Sequence, residues 1–286
     1  MVRIFVCSFI ALNSWGKQKA SAQFNGITME LKGKYNCRVY SRKALVLPDK
    51  KVSSYSSKLT CDLAGDTLTS QIEYSKISIQ KNHHLIDAFN IKAYAKDFYM
   101  QANKGTGETK NFTAVLEKGY RGKYKTFNFF SQENLEYKKN TFFASNIRAM
   151  DKKWRFLIKS ANINMEKKGS LKGVFGKSFD SQFKASEVKI EDDITVKDIS
   201  GNKEKFFFKA KIAKADKNLD TIEFKDGILV NSQDISFKAK NAKKIKNKVF
   251  LKNIEFSKDK FKGNSPSGVF NLENNELKLE KGKIEW

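Results

Sequence analysis

From Gln23 onward, apolar residues recur at every second position, as in Ile72-x-Tyr74, Ile77-x-Ile79, Ile91-x-Ala93, Ile222-x-Phe224, Ile235-x-Phe237-x-Ala239, Val249-x-Leu251, Ile254-x-Phe256 and Leu277-x-Leu279. A period of two belongs to strands with one face in a core and the other in water. Turn formers separate the runs: Gly65-Asp66, Gly105 with Gly107, Gly169, Gly201-Asn202, Asp226-Gly227, Asn264 to Gly268, and Asn274-Asn275. The expectation is an all-β chain, a long ladder of short amphipathic strands at the spacing of a sandwich, barrel or solenoid. Helical spacing appears only from Asp87 to Ala102, and the same stretch alternates as Phe89-x-Ile91-x-Ala93-x-Ala95. We read it as strand.

A weak internal repeat sharpens this. Phe208-Lys209-Ala210-Lys211-Ile212-Ala213-Lys214 echoes Phe237-Lys238-Ala239-Lys240-Asn241-Ala242-Lys243, and each is followed by an Ile-Glu-Phe triplet, at Ile222 to Phe224 and Ile254 to Phe256. Looser relatives stand at Phe183-Lys184-Ala185 and Phe143-Ala144. Such a unit cannot bury its apolar face alone, and stacking several yields one elongated core.

Hydrophobic residues make up 40% of the chain, including 24 phenylalanines, so a net charge of +24 does not make it a disordered polycation. The positive charge is mostly lysine, with arginine only at Arg3, Arg38, Arg42, Arg121, Arg148 and Arg155. Lysine is a hydrated point charge without the planar fork that suits specific phosphate and base contacts. Lysines alternating with apolar residues, as in Phe237-Lys238-Ala239-Lys240, line the wet face of a sheet and blunt its edges. A preference for anionic partners is the second reading of the same charge.

Arg3 precedes an apolar run from Ile4 to Leu12, short for a membrane span of ~20 residues but suited to an export signal. Ala20-Ser21-Ala22 matches a small-x-small cleavage site that would leave Gln23 first. Residues 1–22 are thus expected to be a signal peptide or a truncated membrane anchor, and either places the rest outside the cytoplasm. Cys37 and Cys61 remain beyond this segment as a possible disulfide.

Signals of catalysis or metal binding are missing from the sequence. His83 and His84 are adjacent, so on a strand they point to opposite faces, and they read as a solvent-facing turn pair. Glu191-Asp192-Asp193 lacks the spacing of a calcium loop and reads as a turn. Lys104-Gly105-Thr106-Gly107-Glu108-Thr109-Lys110 reads as a loop, without the helix that follows a phosphate-binding glycine loop. Phe206-Phe207-Phe208 has no glycines between its aromatics, unlike an RNA-binding sheet. We expect no enzyme activity, no cofactor, no metal and no nucleic-acid partner.

The C-terminal part carries a resemblance. Asp234-Ile235-Ser236-Phe237-Lys238-Ala239-Lys240-Asn241-Ala242 leads into Val249-x-Leu251-x-x-Ile254-x-Phe256, then Gly268-Val269-Phe270-Asn271-Leu272, then Asn275-Glu276-Leu277-Lys278-Leu279-x-x-Gly282-Lys283-Ile284. This is similar to the OstA-like proteins of lipopolysaccharide transport, the LptA and LptC family. The likeness is clearest over residues 180–286, with Leu31-Lys32-Gly33 through Ala44 as a fainter copy of the family's opening region.

The resemblance implies a folded-over stack of antiparallel strands, jellyroll-like, with an apolar groove. It implies a periplasmic, membrane-proximal protein that shields the acyl chains of lipopolysaccharide or a similar anionic glycolipid on the way to the outer membrane. It also implies partners joined through edge strands, either other OstA-like proteins or a second copy. A chain of 286 residues exceeds one module of that family, and we expect modules at 23–130 and 131–286, or one continuous body.

The inward residues of the repeated units are the candidate groove: Phe208, Ile222, Phe224, Ile235, Phe237, Leu251, Ile254, Phe256, Leu272 and Leu277. The competing class is an exported structural or adhesive β-solenoid that binds other proteins. A solid interior would favour that class and an open apolar trough the carrier.

Overall fold

A computed structural model describes residues 4–5, 22–31, 36–63, 66–80, 83–95, 97–164, 166–203, 206–216, 220–232, 235–258, 261–274 and 276–285. It is all-β and antiparallel, and its contacts divide the chain into two units, Met1–Asp151 and Lys152–Trp286. The first holds β1 (Ile4–Phe5), β2 (Ala22–Leu31), β3 (Cys37–Leu47), β4 (Lys51–Leu63), β5 (Asp66–Ile79), β6 (His84–Ala95), β7 (Phe98–Glu108), β8 (Thr113–Tyr124), β9 (Phe127–Ser131), β10 (Leu135–Lys138) and β11 (Thr141–Met150). Each strand from β1 to β8 pairs with the next. Both β9 and β10 then lie between β8 and β11, as two pieces of one interrupted strand. Because β11 pairs back onto them, the division falls at 151/152 rather than at 130/131. Of the expected export segment, Ile4 and Phe5 pair with Met29 and Thr28, Ala22 opens β2, and residues 1–3 and 6–21 lie outside the described residues.

The second unit holds β12 (Arg155–Asn164), β13 (Gly169–Lys177), β14 (Ser181–Ile190), β15 (Ile194–Lys203), β16 (Phe206–Ala215), β17 (Thr221–Asn231), β18 (Ser236–Ile245), β19 (Lys248–Lys258), β20 (Phe261–Asn271), β21 (Glu276–Glu280) and β22 (Lys283–Glu285). It too is a meander, each strand pairing with the next as far as β20. Beyond it, β21 and β22 each cover half of β20.

The strands are long, up to 14 residues in β5, and each main one is two amphipathic halves joined by a kink. The register shows where. Ser41 pairs with Ser57 and Lys43 with Tyr55, while Arg42 and Ser56 between them drop out of the ladder. The same omission runs on through Glu73, Asn90 and Asn103 in the first unit. In the second unit it takes in Lys159, Gly173, Lys211, Asn253 and Pro266.

On every second strand the omitted residue is left-handed: Gly26, Ser56, Asn90, Lys118 with Gly119, Asn146, Gly173, Asp198, Asp226 with Gly227, and Asn253. All but Ser56 and Lys118 are Gly, Asn or Asp, the residues that reach positive φ at least cost. Pro266 sits on the same line inside β20, where its missing N–H removes no ladder bond. Aligned kinks bend each sheet along one crease.

At the crease the buried positions step by three instead of two, as in Ser54/Ser57, Ala88/Ile91, Ala239/Ala242 and Leu251/Ile254. The inside of a tight fold admits small side chains, which accounts for the Phe-x-Ala repeat: Phe237 stands away from the crease while Ala239 and Ala242 flank it. In the first unit buried serines do the same. Ser54 Oγ lies 2.7 Å from Ser57 Oγ and 2.8 Å from Ser75 Oγ, and Ser41 Oγ lies 3.1 Å from Ser57 Oγ, so these hydroxyls satisfy one another.

The two halves of the second unit face each other across this fold. Phe206 and Phe237 on one half meet Phe270 on the other at centroid distances of 6.2 and 5.2 Å. A flat sheet would separate β16 from β20 by about 19 Å, four ladder steps of ~4.8 Å.

Several sequence expectations change here. Asp226-Gly227 is a mid-strand kink and not a hairpin turn, Gly201-Asn202 lies within β15, and the stretch from Asn264 to Gly268 lies within β20. Gly105 and Gly107 belong to β7, so Lys104 to Glu108 is strand and only Thr109 and Lys110 turn. His84 is not solvent-facing but 4% exposed at the start of β6. Asp87 to Ala102 is strand, as read, spanning β6 and the start of β7. Glu191 to Asp193 is a bend that holds lysines, Lys168 Nζ lying 3.1 Å from Asp192 and Lys214 Nζ 2.8 Å from Asp193.

The crease can be tested at Asn253, exposed and at φ 52°. Asn253→Gly is expected to change stability little, whereas Asn253→Val costs about 1–2 kcal/mol because a β-branched residue resists that conformation. Urea denaturation of both variants measures this, and equal costs would remove the left-handed kink from the account.

Candidate functional site: an apolar cavity in the first unit

The crease brings two inner faces together, and what fills the space between them differs between the units. In the second unit the inner residues form a continuous core around Phe237, Leu251 and Ile254, each 1% exposed, with Phe208, Phe224, Phe256 and Leu277 half-buried against it. In the first unit, core clusters stand around Met100 and Tyr120 and around Ile72 and Ile91, and Ile27, Met29, Val52 and Ile77 are buried as well. A partly open cavity of about 170 Å³ takes its walls from both clusters.

One wall comes from Leu31, Cys37, Cys61, Leu68, Ile91 and Met100, and the facing wall from Ile86, Ala88, Leu116, Leu135, Tyr137 and Phe142. The lining is almost wholly apolar. The space exists because inward positions carry little or no side chain: Ser70, Ala88, Ala93, Gly105, Gly107 and Ala114. Gly105 serves a close approach, since a Cβ there would stand 2.7 Å from Ile91 Cδ1 and 2.9 Å from Leu116 Cδ2. At Gly107 the nearest atom to an added Cβ would be the Thr113 carbonyl oxygen at 3.4 Å, so that position leaves room.

Two features fasten the cavity's borders. Cys37 and Cys61 are direct partners on β3 and β4, joined as a disulfide with Cα atoms 4.2 Å apart. The adjoining Asp62 N–H donates to the Asn36 carbonyl at 3.3 Å, which makes the cysteines a non-hydrogen-bonded pair, the closer kind. Elsewhere the His84 N–H donates to Thr109 Oγ1 and the Thr109 N–H to the His84 carbonyl, both at 3.0 Å. Thr109 lines the cavity, while His84 Nδ1 is buried without a hydrogen-bond partner. Burial, and secondarily the charge of His83, holds the His84 imidazole below its usual 6.5. Burial likewise pushes the Tyr120 phenol up to about 12.

The residues expected from sequence to line a groove lie in the second unit, and none of them touches this cavity. Phe237, Leu251 and Ile254 belong to the packed core. Ile222 and Ile235 are half-buried outside that cluster, and Leu272 sits in the turn after β20, 43% exposed. The signal that marks the cavity in sequence is the run of small inward residues in β5 to β8, where the second unit places phenylalanine and leucine. Among the described residues no cluster of three or more His, Cys, Asp or Glu could hold a metal ion.

No family model matches the chain, and no curated protein matches its sequence.

The buried neutral His84 gives a pH dependence. A base whose folded value is depressed stabilises the fold above the unfolded value, about 6.5, and that contribution is lost as pH falls through the folded value. The urea midpoint is expected to drop between pH 7.5 and 5, and to drop less in His84→Gln. An unaltered drop in that variant would show that His84 is not the group responsible.

Proposed function

We propose that this chain is a periplasmic, non-catalytic carrier of an anionic amphiphile, lipopolysaccharide or a similar glycolipid, and that the apolar cavity of the first unit shelters an acyl chain. The cavity carries this reading. It combines an apolar lining with partial opening to solvent, and each methylene moved into it from water contributes about 0.8 kcal/mol. Its volume of about 170 Å³ slightly exceeds an apolar cavity of ~150 Å³ that stays dry and takes up a benzene molecule. It therefore suits one short hydrocarbon segment, and a headgroup would stay in water among the lysines. The resemblance of residues 180–286 to the OstA-like family supports the same reading, with the cargo site in the other unit.

A fluorescent fatty acid is expected to bind the purified protein. Ala88→Leu, which fills the cavity, should weaken binding at least tenfold, and Leu277→Ala in the second unit should leave it unchanged. Full binding by folded Ala88→Leu would move the site elsewhere. No binding by the native protein would favour the structural or adhesive β-protein, a reading that the packed cluster around Phe237, Leu251 and Ile254 supports.

Partners of this carrier join through the terminal edge. Among the described residues β21 and β22 pair only with β20, which leaves unpaired N–H and C=O groups on their far side. Lys278, Glu280, Lys281 and Lys283 guard that edge with charge, and Ile284 is 57% exposed on it. Photo-crosslinkers placed from Leu277 to Ile284 are expected to trap an OstA-like protein or a second copy in cells. Absence of any adduct from a folded, exported protein would leave an isolated binding protein.

A further inference from the structure

The strand ends of the second unit differ in charge and in what they expose. The end that carries the β13–β14 turn gathers Lys152, Arg155, Lys177, Lys203, Lys258 and Lys262, aligned by the pairs Arg155–Lys177, Ser181–Lys203 and Lys258–Phe261. The opposite end mixes the two signs, with Glu191, Asp192, Asp193, Asp216, Asp220 and Glu273 beside Lys167, Lys168, Lys214, Lys246 and Lys248. At the basic end Phe179 is fully exposed, at 106% of its reference area, and Phe261 is 46% exposed.

Phe179 is held there by a built turn. The Ser178 N–H donates to the Ser181 carbonyl at 2.7 Å, and the Ser178 and Ser181 hydroxyls each donate to Asp180 Oδ1 at 2.9 Å. The turn thus satisfies its own polar groups, ties up its only carboxylate and projects one aromatic ring into water. Behind it Trp154 packs on Phe156 and Phe183, each at 5.8 Å, so the ring projects from a firm base.

A single exposed apolar side chain is ordinary. A fully exposed ring at a strand end rich in lysine, on a unit whose other end mixes the two signs, is the arrangement of a peripheral membrane contact. We propose that the basic end of the second unit docks on an anionic phospholipid bilayer, with Phe179 entering the interface and the lysines meeting lipid phosphates. The opposite end, where carboxylates offset the lysines, would be attracted less, so docking favours one orientation of this unit. The inference stands independently of the cavity and of its cargo.

Vesicle flotation of the full chain tests it, with phosphatidylcholine alone or mixed with phosphatidylglycerol. The protein is expected to float only with the mixed vesicles and to be released by salt. Phe179→Ser should lower partitioning about tenfold, the effect of withholding one phenyl group from an apolar phase. Lys177→Glu with Lys203→Glu should lower it at least as far. Lys58→Glu with Lys76→Glu, an equal charge change on the first unit, should change it less than about twofold. In Phe179→Trp the added emission should shift to the blue on mixed vesicles and be quenched by brominated acyl chains. Unchanged partitioning of Phe179→Ser, equal loss in both lysine pairs, or a residue 179 indole that stays in water would each overturn the proposal. Unchanged melting curves of these surface variants separate lost docking from lost folding.

Discussion

A line of left-handed kinks, one on every second strand, is the constraint on which the rest of the structure depends. A strand with uninterrupted alternation stays extended, and a meander of such strands would be a sheet with one bare apolar face. By moving one residue per strand out of register, Gly26, Ser56, Asn90, Gly173, Asp198, Gly227 and Asn253 let each sheet close on itself. The apolar face then finds its partner within the same sheet. The kinks cost conformational energy, and the burial of residues such as Phe237, Leu251, Ile27 and Ile77 offsets it. The crease also bears on side-chain size, with serine or alanine beside it on strands such as β4 and β18 and isoleucine or leucine beside it on β6 and β19.

Both units obey this scheme, but they use the enclosed space differently. Where Phe206, Phe237 and Phe270 interlock, the two halves touch. Where Ala88, Ala93, Gly105 and Gly107 face inward, the same two layers leave a gap lined by Leu, Ile and Met. Inward side-chain volume thus bears on how much space a crease-folded sheet encloses. The disulfide between Cys37 and Cys61 and the His84–Thr109 pair fasten the borders of that gap.

The outer surface follows from the same alternation. Residues opposite the core point to water, which places Lys209, Lys211, Lys238 and Lys240 on the exposed face of the repeated strands. Some of these outward lysines meet carboxylates across strands, as Lys243 meets Glu223 at 3.2 Å and Lys197 meets Glu187 at 2.8 Å. Pairs this exposed add little stability. Their weight lies in the unequal distribution that remains, with cations in excess at one end of the second unit and the two signs mixed at the other.

The sequence by itself determined the all-β class, the inward and outward faces of most strands and the strand character of Asp87 to Ala102. The reason is that a period of two is a local property of the backbone. It also held the repeat of phenylalanine and alanine, although its meaning as a crease did not appear there. Asp226-Gly227 reads equally well as a hairpin turn and as a kink inside one strand, because both need a residue that tolerates positive φ. Only pairing partners far along the chain decide between them, so strands appeared short that are in fact long. The cavity was hidden for a related reason. Inward phenylalanine and leucine attract attention as ligand-facing residues, yet in a closed fold large side chains fill space and small ones leave it. Which of them face each other across the crease is settled by tertiary packing, and that placed the candidate site at Ala88 and Gly105 instead of Phe237 and Leu251.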